Sequence, residues 1–261
     1  MVKKIIYLIF LCFSCFSFGQ KNVLIAKYNY TDISGSRIET LTADEKIAFY
    51  QVISKPDLNK EKSNPKIRIE GDNIFVEDFS NHIFSNFIFL SNSKDENFTY
   101  LKNLDNELIV HDSMPELNWK LLNEEKLIDK YNCKKAEVQF RGRKFTAWYA
   151  PKIAVPFGPF KFKGLPGLII NMESTYNGST LYWNLTSLRY DNSIVVPSIS
   201  SFDGKEITLR EVLTNETNER NDRSKRTVAK MGRGIRQTKV TLERLGAERI
   251  YEWETEDEEK K

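Results

Sequence analysis

The chain has 261 residues, with 39 basic against 36 acidic side chains, 40% hydrophobic and 12% aromatic residues. With only 12 glycines and 8 prolines, this balance excludes a collagen-like, low-complexity or wholly disordered chain and fits a globular one. The near-neutral charge excludes a whole-protein field aimed at nucleic acid or at a membrane surface.

Lys3 and Lys4 precede an apolar run from Ile5 to Phe13, and small and polar residues follow through Ser14, Ser17 and Gly19 to Gln20. This is the layout of a secretory signal peptide over 1–19. As a membrane anchor the run is shorter than the about 20 residues that cross a bilayer. A lipoprotein reading stays open because Cys15 follows Ser14, although Cys12 stands where such a signal usually has Leu. Lys3 and Lys4 leave with the signal, so the mature chain carries 37 basic against 36 acidic residues. The Cys12-x-x-Cys15 spacing leaves too and is read as neither a redox nor a zinc motif. Cys133 then remains alone, so no internal disulfide forms and a hydrophobic core must hold the chain. One β-rich domain over 20–219 and a charged extension over 220–261 are expected.

Beyond Gln20, short runs of Ile, Val, Phe, Tyr and Thr alternate with Gly, Asn, Asp and Pro, which predicts antiparallel β structure. Thr42 to Ile53 admits two readings. Thr42-x-x-Glu45 is a capping box that would start a helix, but Ile47 to Ile53 is aromatic and β-branched, which favours a strand. A turn at Gly71-Asp72 sets Ile69 opposite Ile74 and Ile67 opposite Val76. A two-residue turn at Arg141-Gly142 pairs Phe140 with Arg143, Val138 with Phe145 and Ala136 with Ala147, and leaves Gln139 with Lys144 and Lys135 with Trp148 on the other face. Continuing that alternation puts Cys133 opposite Ala150, on the Trp148 side. Asn177-Gly178 tolerates the positive φ angles of a tight turn and pairs Ser174 with Leu181, Met172 with Trp183 and Ile170 with Leu185. The predicted fold is mainly β: an antiparallel, strongly curved sheet or open barrel with one C-terminal helix packed on it. That helix starts at the capping box Thr208-x-x-Glu211 and presents Leu209, Val212 and Leu213 on one face.

Residues 220–244 carry nine basic side chains against Asp222 and Glu243. They read as a docking surface for anionic lipid or an acidic partner, or as a solvated segment neutralised by the acidic tail from Glu252 to Glu259. Familiar chemistry is missing. His82 and His111 have no second ligand at zinc spacing, and there is no Gly-x-Ser-x-Gly elbow, His-Glu-x-x-His pair or phosphate-cradling loop. Glu77 and Asp78 are adjacent on a strand and point to opposite faces, which does not suit a paired acid and base. Cys133, followed by Lys134 and Lys135, reads as a half-buried cysteine before it reads as a nucleophile. The sequence calls for no cofactor and no metal.

From Pro151 to Gly167 the chain carries four prolines and three glycines, which stiffen a long connection. Gly164-Leu165-Pro166-Gly167-Leu168-Ile169 closes it, and this stretch closely resembles the signature of the GLPGLI family of secreted proteins of Gram-negative Bacteroidetes. The resemblance extends over Trp119, the stretch Lys130 to Ala136, Phe140-x-Gly142-Arg143, Ala147-Trp148-Tyr149-x-Pro151 and Gly158 to Phe162. It implies export to the periplasm, outer membrane or medium and a β-rich domain, with no reaction or catalytic residue to carry over. A weaker likeness, at the level of fold rhythm, is to the curled sheets of periplasmic lipid carriers.

The leading expectation is a non-enzymatic envelope binding protein for an apolar ligand or a peptide segment. Trp148, Phe157, Phe160 and Phe162 would supply contact area, and Arg143, Lys161 and Lys163 would meet an anionic group. Against it stands the simpler role of those aromatics in closing one end of the core. The alternatives are an accessory hydrolase, which needs a buried carboxylate pair with raised pKa values, and an assembly partner of an outer-membrane complex, using a sheet edge or the basic segment. Nucleic acid is not an expected partner, and no span of the mature chain is expected to cross a membrane.

Overall fold

A computed structural model describes residues 23–33, 35–53, 66–70, 73–77, 85–91, 97–102, 107–230, 244 and 246–259. The expected signal segment, His82, Asp78, the Gly71-Asp72 turn itself and residues 231–243 of the basic stretch lie outside the described residues. The strands are β1 (Val23–Asp32), β2 (Gly35–Ala43), β3 (Ile47–Ile53), β4 (Lys66–Glu70), β5 (Asn73–Glu77), β6 (Ser85–Ser91), β7 (Asn97–Lys102) and β8 (Glu107–His111). They continue as β9 (Lys120–Ile128), β10 (Tyr131–Phe140), β11 (Arg143–Ala150), β12 (Leu168–Tyr176), β13 (Ser179–Asp191) and β14 (Lys205–Thr208), followed by helices α1 (Leu209–Lys230) and α2 (Glu252–Glu259).

Among the described residues, twelve strands form one sheet in the order β14-β8-β7-β6-β3-β2-β1-β13-β12-β11-β10-β9, and β4 pairs with β5 separately. All pairings are antiparallel except β14 with β8. The sheet is open, with β14 and β9 at its edges, and the chain itself shows that it must curl. Ten strand steps separate β8 from β9, about 48 Å across a flat sheet. The connection from His111 to Lys120 spans at most about 32 Å. Bulges supply the bend: an extra residue, Thr186, lies where β13 passes β1, and another, Ile170, where β12 passes β11.

The hairpin registers follow the apolar sorting of the sequence. Ser174 faces Leu181 and Met172 faces Trp183, Val138 faces Phe145, and Ile67 faces Val76. Asn177 and Gly178 have φ of 46° and 76°, and Arg141 and Gly142 have 43° and 80°, as mirror-image turns require. The Thr42–Ile53 segment takes the strand reading, because the Asp44 carboxylate accepts from Lys46 N at 2.7 Å and Ile47 N at 2.9 Å and turns the chain between β2 and β3. The second capping box does start a helix: Glu211 N donates to Thr208 Oγ1 at 3.2 Å, and Thr208 N donates back to Glu211 Oε2 at 2.9 Å. Val212 is buried beneath it. No helix among the described residues is long and apolar enough to cross a membrane.

One expectation is corrected. Cys133 does not lie on the Trp148 side but in the core beside Ala136, since the register between β9 and β10 shifts between Lys134 and Ala136 and alternation breaks there. Its Sγ donates to Tyr131 O at 3.4 Å. Burial pushes the thiol up to about 11, so it stays protonated at neutral pH, unlike an activated nucleophile.

Candidate functional site

The Pro151–Gly167 connection folds onto the inner face of the sheet and makes its own hydrogen bonds there. Gly158 N donates to Phe162 O at 2.9 Å, Gly164 N to Pro156 O at 2.8 Å, and Leu168 N to Ile153 O at 3.1 Å. Two glycines permit the close approach. A Cβ on Gly167, at φ +146°, would lie 2.3 Å from Ala150 O, and one on Gly158 would lie 2.5 Å from the Ile169 side chain. Ile153, Val155, Phe157, Phe162 and Leu165 are all buried in the main core. The inner face is thus filled by the loop's own side chains.

Phe162 is the hub of that filling. Its ring centroid lies 4.7 Å from Phe145, 5.2 Å from Phe140 and 6.3 Å from Trp183. Half-buried Phe160 stacks on Trp183 at 6.3 Å. Below Trp183 sits a carboxylate that sequence reasoning missed. Buried Glu39 accepts from Trp183 Nε1 at 2.8 Å, from Tyr50 Oη and from Arg37 Nε at 2.7 Å. Burial first, and the Glu39 charge second, raise the Tyr50 hydroxyl well above its usual range. The signal was a charge at position 39 on the same alternating face as Leu41 and Ala43.

Adjacent Lys161 leads into a second environment. Its ammonium donates to Asp112 Oδ2 at 2.6 Å and to Glu248 Oε1 at 2.8 Å. Arg141, from the β10–β11 turn, donates to Asp112 Oδ1 at 2.7 Å, to Glu248, and to Glu252 at 3.2 Å. Burial alone would raise the Asp112 carboxyl, but Lys161 and Arg141 outweigh it and hold the group below its ordinary value. Burial likewise opposes the Arg141 charge, and its carboxylate partners reverse that and raise its pKa. A carboxyl held down in this way is the opposite of the raised acid that a hydrolase needs.

The remaining sequence candidates scatter. Arg143 is buried, with Nη1 3.5 Å from Ser174 Oγ and its guanidinium 5.7 Å from the Tyr176 ring. Trp148 points to the outer face between Lys126 and Lys135, which lie 5.7 and 5.9 Å from its ring. Lys163 is half-buried, which lowers its pKa, and its carbonyl accepts from Trp119 Nε1 at 2.9 Å. Phe157, Phe160, Lys161 and Phe162 are brought together with Lys163 on one loop; Arg143 and Trp148 belong elsewhere.

Trp119 and the signature turn border a shallow, open groove of about 410 Å³, lined by Leu117, Asn118, Trp119, Lys120 and Leu121 on one side and Gly164, Leu165 and Pro166 on the other. It opens at the start of β9, the edge strand, where Leu121 is 55% exposed. The lining mixes aliphatic side chains with an amide and an ammonium.

Residues 137–171 match a family model described as a protein of unknown function (Porph_ging), a span holding Arg141, the loop and Lys161. A comparison with curated proteins finds no match. Among solved structures the chain is similar to PNGF-II in two crystal forms, each at TM-score 0.49 and 16% identity. It covers 73% of this chain and 32% of that one in the first form, so the chain spans about a third of the length of PNGF-II. It is also similar to LprF from Mycobacterium bovis, at TM-score 0.28 and 11% identity over 69% of this chain and 91% of that one.

Proposed function

We propose that the chain is an exported envelope binding protein of the GLPGLI kind, and that the groove between Trp119 and the Gly164-Leu165-Pro166 turn receives an aliphatic side chain of an extended peptide segment. The observation that carries this reading is that the signature turn itself forms a groove wall, tied to the opposite wall by the Trp119–Lys163 hydrogen bond. The filled inner face favours a surface-bound peptide over an apolar ligand enclosed by the sheet. In this reading Phe157 and Phe162 support the turn from beneath and Lys163 stands beside the bound segment. Phe160 and Lys161 anchor the loop, whereas Arg143 and Trp148 act away from the groove. Export rests on the signal-like segment and the family resemblance.

The test uses the mature protein extracted natively and the exposed position Leu121. Wild type is expected to co-purify with peptide detectable by mass spectrometry. Leu121→Glu is expected to lose roughly tenfold of it, the effect of about 1.4 kcal/mol, at an unchanged melting temperature. Absence of peptide from wild type, or equal retention by the variant, would overturn the proposal.

A further inference from the structure

The buried ionic junction is incomplete without its C-terminal layer. The sheet and its connections supply two cations, Arg141 and Lys161, and one carboxylate, Asp112, all buried. The balance comes from Glu248, which pairs with both cations, and Glu252, which pairs with Arg141. The segment bearing them, 246–259, meets the sheet backbone mainly at one atom: Arg141 O accepts from Arg249 N at 2.9 Å and from Ile250 N at 3.1 Å. Side chains make the other contacts. Tyr251 is buried with its ring 4.8 Å from the Arg141 guanidinium. Arg249 lies over the Tyr176 ring at 3.3 Å, and Ile250 covers Gly142, where an added Cβ would meet it at 3.0 Å.

We propose that Arg141, Gly142, Lys161 and Tyr176 form a receptor for an acidic, aromatic-bearing peptide segment. The chain's own residues 246–259 fill it in cis, and a partner segment with two carboxylates four residues apart flanking an aromatic displaces them. Charge fixes the chemistry of the occupant. Two desolvated cations sharing one fixed carboxylate demand a further anion whenever the tail leaves, because an uncompensated buried charge is costly. Geometry makes the occupant replaceable, since side-chain contacts and one shared carbonyl are features that another acidic segment can copy. The receptor lies on the β10–β11 turn, the loop and the end of β12, and does not depend on the groove beside Trp119.

The experiment keeps the full mature chain. Glu248→Lys sets a third cation against Arg141 and Lys161 and is expected to release the tail. A fluorescein-labelled synthetic peptide of residues 244–259 should then bind this variant roughly tenfold more tightly than wild type, read by anisotropy. The same peptide carrying Glu248→Lys should not bind. Equal affinity for wild type and variant, or indifference to the peptide's own Glu248, would overturn the proposal. So would dimerisation of the wild type by light scattering, which would make the occupant the tail of a second copy. Should the variant lose its cooperative melt, hydrogen exchange on wild type decides. Amides of Arg249 and Ile250 exchanging at least about tenfold faster than those of Val138 and Ala147 support a displaceable tail; equal rates exclude one.

Discussion

Phe162 and Lys161 are neighbours in sequence and point into two different kinds of interior. Phe162 enters an aromatic cage with Phe140, Phe145 and Trp183, where stabilisation comes from area removed from water and from close packing. Lys161 enters a junction with Asp112, Arg141 and Glu248, where charges taken out of water are tolerable only while every partner is in place. The cage is assembled from strands close together in the sheet and from the loop that lies on it. The junction joins remote parts of the chain: the end of β8, a hairpin turn, the loop and the C-terminal segment. The first kind of interior sets the fold, and the second decides what may dock on it.

The largest expected effect falls on the cage. Phe162→Ala removes the hub of the aromatic filling and should cost about 4 kcal/mol, measured as a fall in the urea midpoint at constant m value. A cost under about 1 kcal/mol would mean that the loop is not part of the core. Gly167→Ala should follow at about 3 kcal/mol, since its Cβ would strike the Ala150 carbonyl. Gly178→Ala, at φ +76° in open space, should cost only about 1 kcal/mol of backbone strain. Equal losses at the two glycines would erase the distinction between a turn that needs conformational freedom and one that also needs room.

On the junction side, Asp112→Ala leaves Arg141 and Lys161 facing each other and should cost about 3 kcal/mol. Replacing Asp112, Arg141 and Lys161 together by Met should cost less, because the charges then left without these partners, Glu248 and Glu252, keep 12% and 34% of their side chains exposed to water. If the triple variant is as unstable as the single one, packing rather than charge holds the junction, and the contrast with the cage fails.

Much of the cage was legible in the sequence, and the reason is period. Alternation along β10–β13 placed Val138 opposite Phe145 and Met172 opposite Trp183 because a one-residue slip would have turned apolar side chains to water. The same rule failed at Cys133, where a register shift that composition does not signal reverses the alternation. The junction was hardly legible. Arg141 sits in a turn, where a charged residue reads as solvated, and Asp112 lies in an irregular connection. Glu248 is one acid of a tail that reads as exposed. Their convergence depends on the curl of the whole sheet, which no local pattern encodes. Glu39 was closer to view, as a charge standing on an apolar face, and such a residue asks for buried donors of the kind Tyr50 and Trp183 provide. The groove needed coordinates, since its walls are 43 to 49 residues apart in sequence.

Acid should separate the two interiors. Asp112 and Glu254 are held below their ordinary values of 3.8 and 4.5, each against an opposing push from burial, Asp112 by Lys161 and Arg141 and Glu254 by Arg244. A carboxyl lowered in the folded state contributes stability that is fully present above its unfolded pKa and is lost as pH falls through the folded one. The stability that these two carboxylates lend to the junction and to the fold of the C-terminal segment should therefore be fully present above about pH 4.5 and weaken progressively below it. Hydrogen exchange at Arg249 and Ile250 should accelerate across that window before the amides of β11 do. Simultaneous acceleration of both would show that junction and cage open as one unit.

The smallest effect is expected where neither interior reaches. Thr208→Ala removes the hydroxyl that accepts from Glu211 N and donates to its carboxylate, a reciprocal cap worth about 1 kcal/mol to the helix. Beyond Leu213, the described side chains of α1 are exposed. Loss of the cap should fray α1 and reduce far-UV helical signal while leaving the urea midpoint of the β signal within about 0.5 kcal/mol of wild type. A global shift as large as that of Gly178→Ala would mean that the helix braces β8 through β14, whose parallel pairing ends at Thr208 and His111, and so braces the connection that carries Asp112 into the junction.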